Sequence, residues 1–162
     1  MSRLELRSGG LWHRGTVRPC SIGRGGITRD KREGDGATPA GLWRITAMLY
    51  RPDRLGPPAA WARPLRPGDL WSDDPADPDY NRPVRAPHAF SHEELWRDDP
   101  LYDLILVTDW NAARVPGRGS AIFLHEWRGP GQPTEGCIAL ARPDLHALAT
   151  RIGPGAEVLV GG

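Results

Sequence analysis

The spacing of proline is the feature of this sequence that most restricts its fold. Proline lacks a backbone N–H and fixes φ, so it is excluded from helix interiors and from central strands. Ten of the 17 prolines lie between residues 51 and 100, which forbids any long regular element there. Yet this stretch also carries large aromatic side chains, which are rare in a disordered linker. We therefore expect a folded, proline-rich cap lobe over about 51–100, inserted into a single domain that spans residues 1–162. The aromatic residues of this lobe are Trp61, Trp71, Tyr80, Phe90 and Trp96.

Apolar residues outside this lobe follow strand patterns. Leu4–Arg7 alternates apolar and polar side chains, and a turn at Ser8-Gly9-Gly10 makes a hairpin that continues into a third strand over Thr16–Ile22. Residues 23–36 are rich in glycine and charge, which predicts a loop. The chain is therefore predicted to be mainly β. Further strands are expected at Leu42–Tyr50, Leu104–Thr108, Ala121–His125, Ile138–Leu140 and Glu157–Val160.

Two helices are predicted, and both are short. Ser91 and Glu94 form a capping box, which favours a helix that runs through Trp96. Pro143 is typical of the first position of a helix, and Gly153 is typical of a helix end.

The charge balance argues against two large classes of partner. Lys and Arg number 21 against 20 Asp and Glu, a net charge of +1, so no extended field attracts nucleic acid or anionic lipid.

The two cysteines, Cys20 and Cys137, are too few for a disulfide scaffold, although the sequence allows one disulfide between them. Met1–Leu6 lacks the apolar segment of a signal peptide, and no stretch is long enough to span a membrane. We expect no nucleic-acid partner, no membrane span and no export signal within this sequence.

A histidine and a cysteine at the ends of two predicted strands carry the chemistry. A thiol attacks carbonyl groups as the thiolate, and a nearby imidazole can take its proton. Cys137 follows His125 by twelve positions, across a loop rich in glycine and proline that can return it beside the histidine. Gly136 leaves its backbone N–H open, so the amides of Gly136 and Cys137 suit an oxyanion hole. The alternative is that Cys137 is a small, inert, buried residue.

The arrangement resembles the YkuD-type L,D-transpeptidase catalytic domain, whose signature is an upstream histidine followed by a Ser/Thr-His-Gly-Cys segment. His125 matches the upstream histidine, Gly136-Cys137 match the final pair, and Thr134 takes the Ser/Thr position. A second stretch, Lys31–Gly41, is similar to the Lys-x-Glu-Gly-Asp-Gly…Thr-Pro-x-Gly segment of a short branch of this family. The likeness covers about residues 18–160, nearly the whole chain.

The resemblance implies a YkuD-like β-sandwich with short helices and a proline-rich cap lobe. It implies a transferase of peptidoglycan biosynthesis and cell wall organization that influences cell shape and acts in the periplasm or cell envelope. The histidine, here His125, takes the proton of the nucleophile, here Cys137, while a backbone carbonyl, here that of Glu126, holds its other ring nitrogen. The thiolate forms an acyl-enzyme with one stem peptide, and the side-chain amine of diaminopimelate on a second stem resolves it. No cofactor and no metal are required.

The sequence departs from the family signature at two positions. Glu135 stands where a histidine usually precedes Gly-Cys, and Ala139 stands where Arg or Asn usually follows two positions after the cysteine. These groups would help to set donor or acceptor recognition, so the cross-link is of the 1,3 or the 3,3 type, with a slight preference for 1,3. Five side chains are candidates for contacting substrate: Lys31, Tyr80, Asn81, Glu135 and Arg142.

Other functions stay open on the sequence alone. With water as the acceptor, the same site would be an L,D-carboxypeptidase or endopeptidase. A metal-dependent wall hydrolase would use His125, Cys137 and Glu135, and a non-catalytic wall-binding module would keep Cys137 as a structural residue. Zinc needs three or four convergent ligands, so the pair His88 and His92 is not expected to bind a metal. A monomer is compatible with each of these functions.

Overall fold

The computed structural model describes residues 2–161, which form 15 strands and one helix. Up to the end of the lobe the strands are β1 Arg3–Arg7, β2 Gly10–His13, β3 Thr16–Arg18, β4 Cys20–Ser21, β5 Ile27–Thr28, β6 Thr38–Pro39, β7 Gly41–Tyr50, β8 Arg63–Pro64, β9 Asp69–Ser72, β10 Pro83–Arg85 and β11 His92–Glu94. The remaining elements are β12 Leu104–Thr108, β13 Phe123–Glu126, β14 Ile138–Leu140, α1 Arg142–Ala149 and β15 Glu157–Val160. The predicted mainly β fold class is confirmed.

One large sheet organises the chain. Its strands follow the order β3-β2-β1-β15-β7-β12-β13-β14-β4, and β8 pairs in parallel with β7. β3 and β4 lie at opposite ends of this order, yet only Pro19 separates them in sequence. The sheet must therefore curl until its two edges lie close together, so it is nearly closed.

The two faces of this sheet pack into different hydrophobic clusters. β12 is buried along its whole length. Leu104 and Leu106 pack in one cluster with residues of α1, whereas Ile105 and Val107 pack in a second cluster with Trp71 of the lobe. This division follows from the alternation of side chains along a strand. We call the two sides the helix face and the lobe face.

The proline-rich lobe contains a small sheet in which β9 lies between β10 and β11. Trp71 on β9 packs edge-on against Phe123 on β13, with ring centroids 5.0 Å apart, which fastens the lobe to the large sheet. At the start of the lobe Arg51 lies 3.7 Å over the ring of Trp96 and pairs with Asp53 at 2.9 Å. Trp71 and Trp96 thus serve as packing groups.

The predicted helix from Ser91 to Trp96 is wrong. His92–Glu94 is the edge strand β11, which pairs antiparallel with β9. A helix of about six residues lacks the hydrogen bonds to offset its nucleation cost, so the available strand partner decides the conformation. The capping-box pattern is real, but it has no helix to cap.

Four other boundaries differ from the prediction. Pro19 divides the expected strand 16–22 into β3 and β4, because it has no N–H for the ladder. The expected strand at 121–125 begins at Phe123, since Ala121 has a φ of 54°. The expected loop 23–36 contains β5, which pairs in parallel with β6. Helix α1 begins one residue before Pro143 and ends at Ala149 rather than near Gly153.

No helix within residues 2–161 has both the length and the apolar character that crossing a membrane requires.

Replacing Leu106 with alanine should destabilise the fold, because Leu106 is fully buried on the helix face of β12. The lost transfer free energy and the cavity together predict a decrease of about 2–5 kcal/mol in the free energy of unfolding. Urea unfolding followed by tryptophan fluorescence measures it. The same change at Leu42, which is 44% exposed, should cost under about 1 kcal/mol. Equal losses at the two sites would contradict this account of the core.

Candidate active site

Two adjacent parallel strands bring His125 and Cys137 to the same face of the sheet. β13 and β14 pair with Leu124 opposite Ile138 and His125 opposite Ala139. Partners in register share a face, and alternate residues along a strand return to that face. Cys137, one position before β14, therefore lies on the lobe face with Phe123, His125 and Ala139. His125 and Cys137 both line one cavity of about 160 Å³ between this face and the lobe.

The Cys137 thiol is held by the backbone of the neighbouring strand. The Phe123 N–H donates to Sγ at 3.3 Å, and the thiol donates to the Ala121 carbonyl at 3.1 Å. Burial, reinforced by the charge of Glu93, raises the pKa of this thiol to about 12, against smaller opposing effects of the Phe123 N–H and Lys31. The sulfur is therefore a protonated thiol in the resting site at neutral pH.

His125 is fixed in one tautomer by its neighbour. Its Nδ1 lies 2.7 Å from the carbonyl oxygen of Glu126, which only accepts, so Nδ1 carries the ring proton and Nε2 keeps a lone pair. Burial lowers the pKa of His125 to about 4, so the ring is neutral at physiological pH. The ring of Tyr102 packs edge-on against the imidazole at 5.2 Å. The raised pKa of the Cys137 thiol and the lowered pKa of the His125 imidazole together leave the resting pair neutral, with the proton on sulfur.

The turn before Cys137 is tightly constrained at Gly136. Its φ is 141°, and a Cβ there would lie 2.8 Å from the carbonyl oxygen of Ala37. Its carbonyl accepts from the Thr38 hydroxyl at 2.8 Å, and its N–H donates to the Thr134 hydroxyl at 3.0 Å. Thr134 in turn donates to the Cys137 carbonyl at 2.6 Å. An oxyanion that used the Gly136 amide would therefore compete with the Thr134 hydroxyl.

The charged segment Lys31–Gly41 supports the site from behind and does not reach the cavity. Lys31 is buried and pairs with Asp35 at 2.5 Å. Its Nζ lies so close to Gly136 that a Cβ added to this glycine would be 3.4 Å away from it. Glu33 accepts from the Ser120 hydroxyl at 2.6 Å and from the Tyr80 hydroxyl at 2.7 Å. Of the predicted substrate contacts, Lys31 and Tyr80 are therefore internal hydrogen-bonding groups.

Asn81 and Arg142 also lie behind the site. The side-chain oxygen of Asn81 accepts from the Ala121 N–H at 3.1 Å, so it holds the residue whose carbonyl binds the thiol. Its amide nitrogen donates to the carbonyls of Asn111 and Trp110, in the loop after β12, at 2.9 and 3.1 Å. Arg142 pairs with the side chain of Glu126 at 3.0 Å and with Asp103 at 2.9 Å, which steadies the residue that orients His125. The structure thus brings neither side chain to the cavity.

Glu135 does line the cavity, together with groups that the sequence analysis missed. Its carboxylate is largely exposed and pairs with Arg24 at 2.9 Å. The missed wall residues include two arginines on separate segments and a carboxylate of β11, and no local pattern in the sequence singles out this carboxylate from its polar neighbours. These residues are Glu93, Arg97, Tyr102 and Arg128. No three His, Cys, Asp or Glu side chains in the described part of the chain are grouped as metal ligands.

Comparison with known protein families agrees with this arrangement. A family model described as the L,D-transpeptidase catalytic domain, YkuD, matches residues 3–160. The chain therefore belongs to the YkuD family of L,D-transpeptidase catalytic domains, a family that acts on peptidoglycan. The comparison with curated proteins gave no match.

Alkylation of Cys137 should be slow at neutral pH and strongly pH-dependent, because only the thiolate reacts. Since the pKa of this thiol is raised to about 12, the rate with iodoacetamide should increase about tenfold per pH unit between pH 7 and 9. Intact mass spectrometry gives the rate, and the Cys137→Ala variant supplies the background from Cys20. A plateau below pH 8 would show a preformed thiolate and contradict the neutral resting pair.

The Gly136→Ala variant should lose activity, because its Cβ would collide with the Ala37 carbonyl and shift the adjacent Cys137. We expect a loss of about 1–3 kcal/mol of stability and at least a tenfold decrease in acylation of Cys137. Gly131→Ala, in the same loop, is the matched control: its φ is also positive at 73°, but a Cβ there meets no atom within 4 Å. Acylation equally impaired in both variants would point to loop flexibility rather than to the close contact at Gly136.

Proposed function

We propose that this protein is a peptidoglycan L,D-transpeptidase that cross-links stem peptides through a Cys137 acyl-enzyme, with His125 as the general base. The observation that carries the proposal is the placement of both side chains on the lobe face, at one cavity, with Nδ1 of His125 tied to the Glu126 carbonyl. This hydrogen bond directs the basic Nε2 away from the backbone, which is what a proton acceptor for a thiol needs.

The first half-reaction starts from the neutral pair. A neutral thiol and a neutral imidazole avoid two buried charges in the free enzyme, and the proton moves from Sγ to Nε2 as sulfur attacks the donor carbonyl. The imidazolium then protonates the leaving amine, and an acyl-thioester remains on Cys137. The Cys137 amide, with the Gly136 amide once Thr134 gives up its hydrogen bond, stabilises the oxyanion.

The second half-reaction transfers the acyl group to an amine of a second stem, with diaminopimelate as the expected acceptor. The nitrogen attacks the thioester, His125 takes its proton, and the thiolate leaves as the new amide forms. Glu135 and Ala139 replace groups that help the family to recognise its substrates, and both line the cavity. A 1,3 link through L-alanine is therefore slightly preferred to a 3,3 link, and hydrolysis of the thioester would give carboxypeptidase or endopeptidase activity at the same site.

This function places the protein at the cell envelope, where its substrate lies. The chain would need only peptidoglycan stem peptides as reactants, with no cofactor. Its net charge of +1 gives no field that would favour nucleic acid over a peptide.

Incubation of the protein with purified disaccharide-tetrapeptides should give cross-linked dimers, identified by mass spectrometry with fragmentation to locate the new bond. The Cys137→Ala variant should give none, because no thioester forms. The His125→Gln variant should be slower by about 100-fold or more, since it lacks the proton acceptor. Trimmed stems without dimers would make hydrolysis the activity, and dimers from Cys137→Ala would overturn the acyl-enzyme.

A further inference from the structure

Glu93 is an unexplained carboxylate in the wall of the cavity that holds Cys137. It is the middle residue of β11, and both neighbours, His92 and Glu94, are exposed while Glu93 turns inward. Its carboxylate lies 3.3 and 3.5 Å from the hydroxyl of Tyr102, whose ring packs edge-on against His125. Glu93 is thus a partly buried acid on the lobe side of the cavity that His125 and Cys137 also line.

No cation neutralises this carboxylate. Among residues 2–161 no Lys, Arg or His lies within ion-pair distance of Glu93, and the nearby Arg97 donates instead to Asp99 at 2.5 Å. Desolvation raises the pKa of Glu93 to about 7, with a further increase from Asp73 and a smaller one from Glu33, against opposing effects of the Tyr102 hydrogen bond and of Arg97. A partly desolvated acid without a cationic partner is costly to keep ionised, so its position calls for a ligand that supplies the missing positive charge.

The charge of Glu93 also opposes the first chemical step. It is one of the causes that raise the pKa of Cys137, so it makes the thiolate harder to form. A group that hinders acylation fits this site only if it assists a different step. In the second half-reaction the sulfur carries an acyl group and regains negative charge only when the C–S bond breaks, so an acid that has taken up a proton before then imposes no penalty.

We propose that Glu93 binds the acceptor amine as its ammonium and takes one proton from it, so that a neutral amine attacks the Cys137 thioester. This inference rests on the transpeptidase function proposed above. It also gives a reason for the favoured acceptor: a primary alkyl amine arrives protonated, and a carboxylate facing the thioester both attracts it and unmasks its lone pair.

Each proton in this step has a destination. The ammonium gives one proton to the Glu93 carboxylate, and the resulting amine forms a C–N bond to the thioester carbonyl carbon. His125 removes a second proton from the attacking nitrogen, the C–S bond breaks, and the same proton returns through His125 to the Cys137 sulfur. Glu93 then releases its proton to solvent, and no external oxidant or reductant is involved.

The Glu93→Gln variant separates the two half-reactions. Without the negative charge, alkylation of Cys137 by iodoacetamide at pH 7.5 should become several-fold faster than in the wild type. Dimer formation from disaccharide-tetrapeptides should fall by about 100-fold relative to hydrolysis of the same acyl-enzyme, since a positioned general base is worth about that much. A role in folding alone would slow both reactions or neither. Alkylation that accelerates with an unchanged ratio of dimer to hydrolysis would overturn the acceptor role.

Two controls keep the test decisive. Glu94→Gln removes the adjacent exposed carboxylate of the same strand and should change neither rate. Hydroxylamine, which is uncharged at neutral pH, should resolve the acyl-enzyme of the wild type and of Glu93→Gln at equal rates, because it arrives without the extra proton that Glu93 would remove. If Glu93→Gln fails to fold, Glu93→Asp serves instead, because it retains the charge. This variant should still transfer the acyl group to the ammonium acceptor faster than it hydrolyses the acyl-enzyme. Loss of that transfer with normal hydrolysis would contradict the proposal.

An absence of any acyl-enzyme in the wild type would instead refute the proposed function itself. Faster alkylation of Glu93→Gln would still locate the charge of Glu93 beside Cys137 in that case.

Discussion

The parallel pairing of β13 with β14 is the constraint on which the site depends. Their register places His125 opposite Ala139 and leaves Cys137 one step before its strand, so that both reactive side chains emerge on the lobe face. A slip of one residue would turn one of them toward the helix face, into a cluster of leucine and isoleucine side chains. The large sheet therefore supplies geometry as well as stability, because the same alternation that fills the two clusters selects which residues can react.

Burial sets the protonation states of that site. Taking a thiol and an imidazole out of water disfavours their charged forms, so the pKa of Cys137 rises and the pKa of His125 falls. An enzyme built in this way does not store a thiolate; it creates charge only when the carbonyl of a substrate is present to receive it. The Glu126 carbonyl, the Arg142 side chain that steadies Glu126, and the Asn81 amide that holds Ala121 all serve to keep these neutral groups aligned. Glu93 adds a carboxylate that pairs with no cation among residues 2–161 and lines the same cavity as Cys137, and the role proposed for it would link the lobe to the choice of acceptor.

The sequence predicted several strands of the large sheet and the meeting of His125 with Cys137 at one cavity, because both leave local patterns: apolar runs at Leu104–Thr108 and Ile138–Leu140, and a histidine and a Gly-Cys step at the ends of strands. Apart from Glu135, it did not predict which charged residues face the cavity, since that depends on contacts between distant segments. Lys31 looked like a substrate-binding cation, yet it is buried beneath Gly136 on the far side of the turn. Glu93 was hidden because Ser91 and Glu94 match a helix cap as well as a strand, and only the pairing of β11 with β9 decides between them.

The central claim is that His125 is a neutral base whose Nδ1–H is held by the Glu126 carbonyl and whose Nε2 is free for the thiol. Nitrogen-15 NMR of the imidazole, recorded from pH 4 to 8 on labelled protein, reports tautomer and protonation state together. The account predicts a ring that is neutral at pH 6 and above, protonated on Nδ1 and bare at Nε2, and that gains its second proton only near pH 4. A His125 ring that titrates at or above pH 6.5, or one that carries its proton on Nε2, would contradict it.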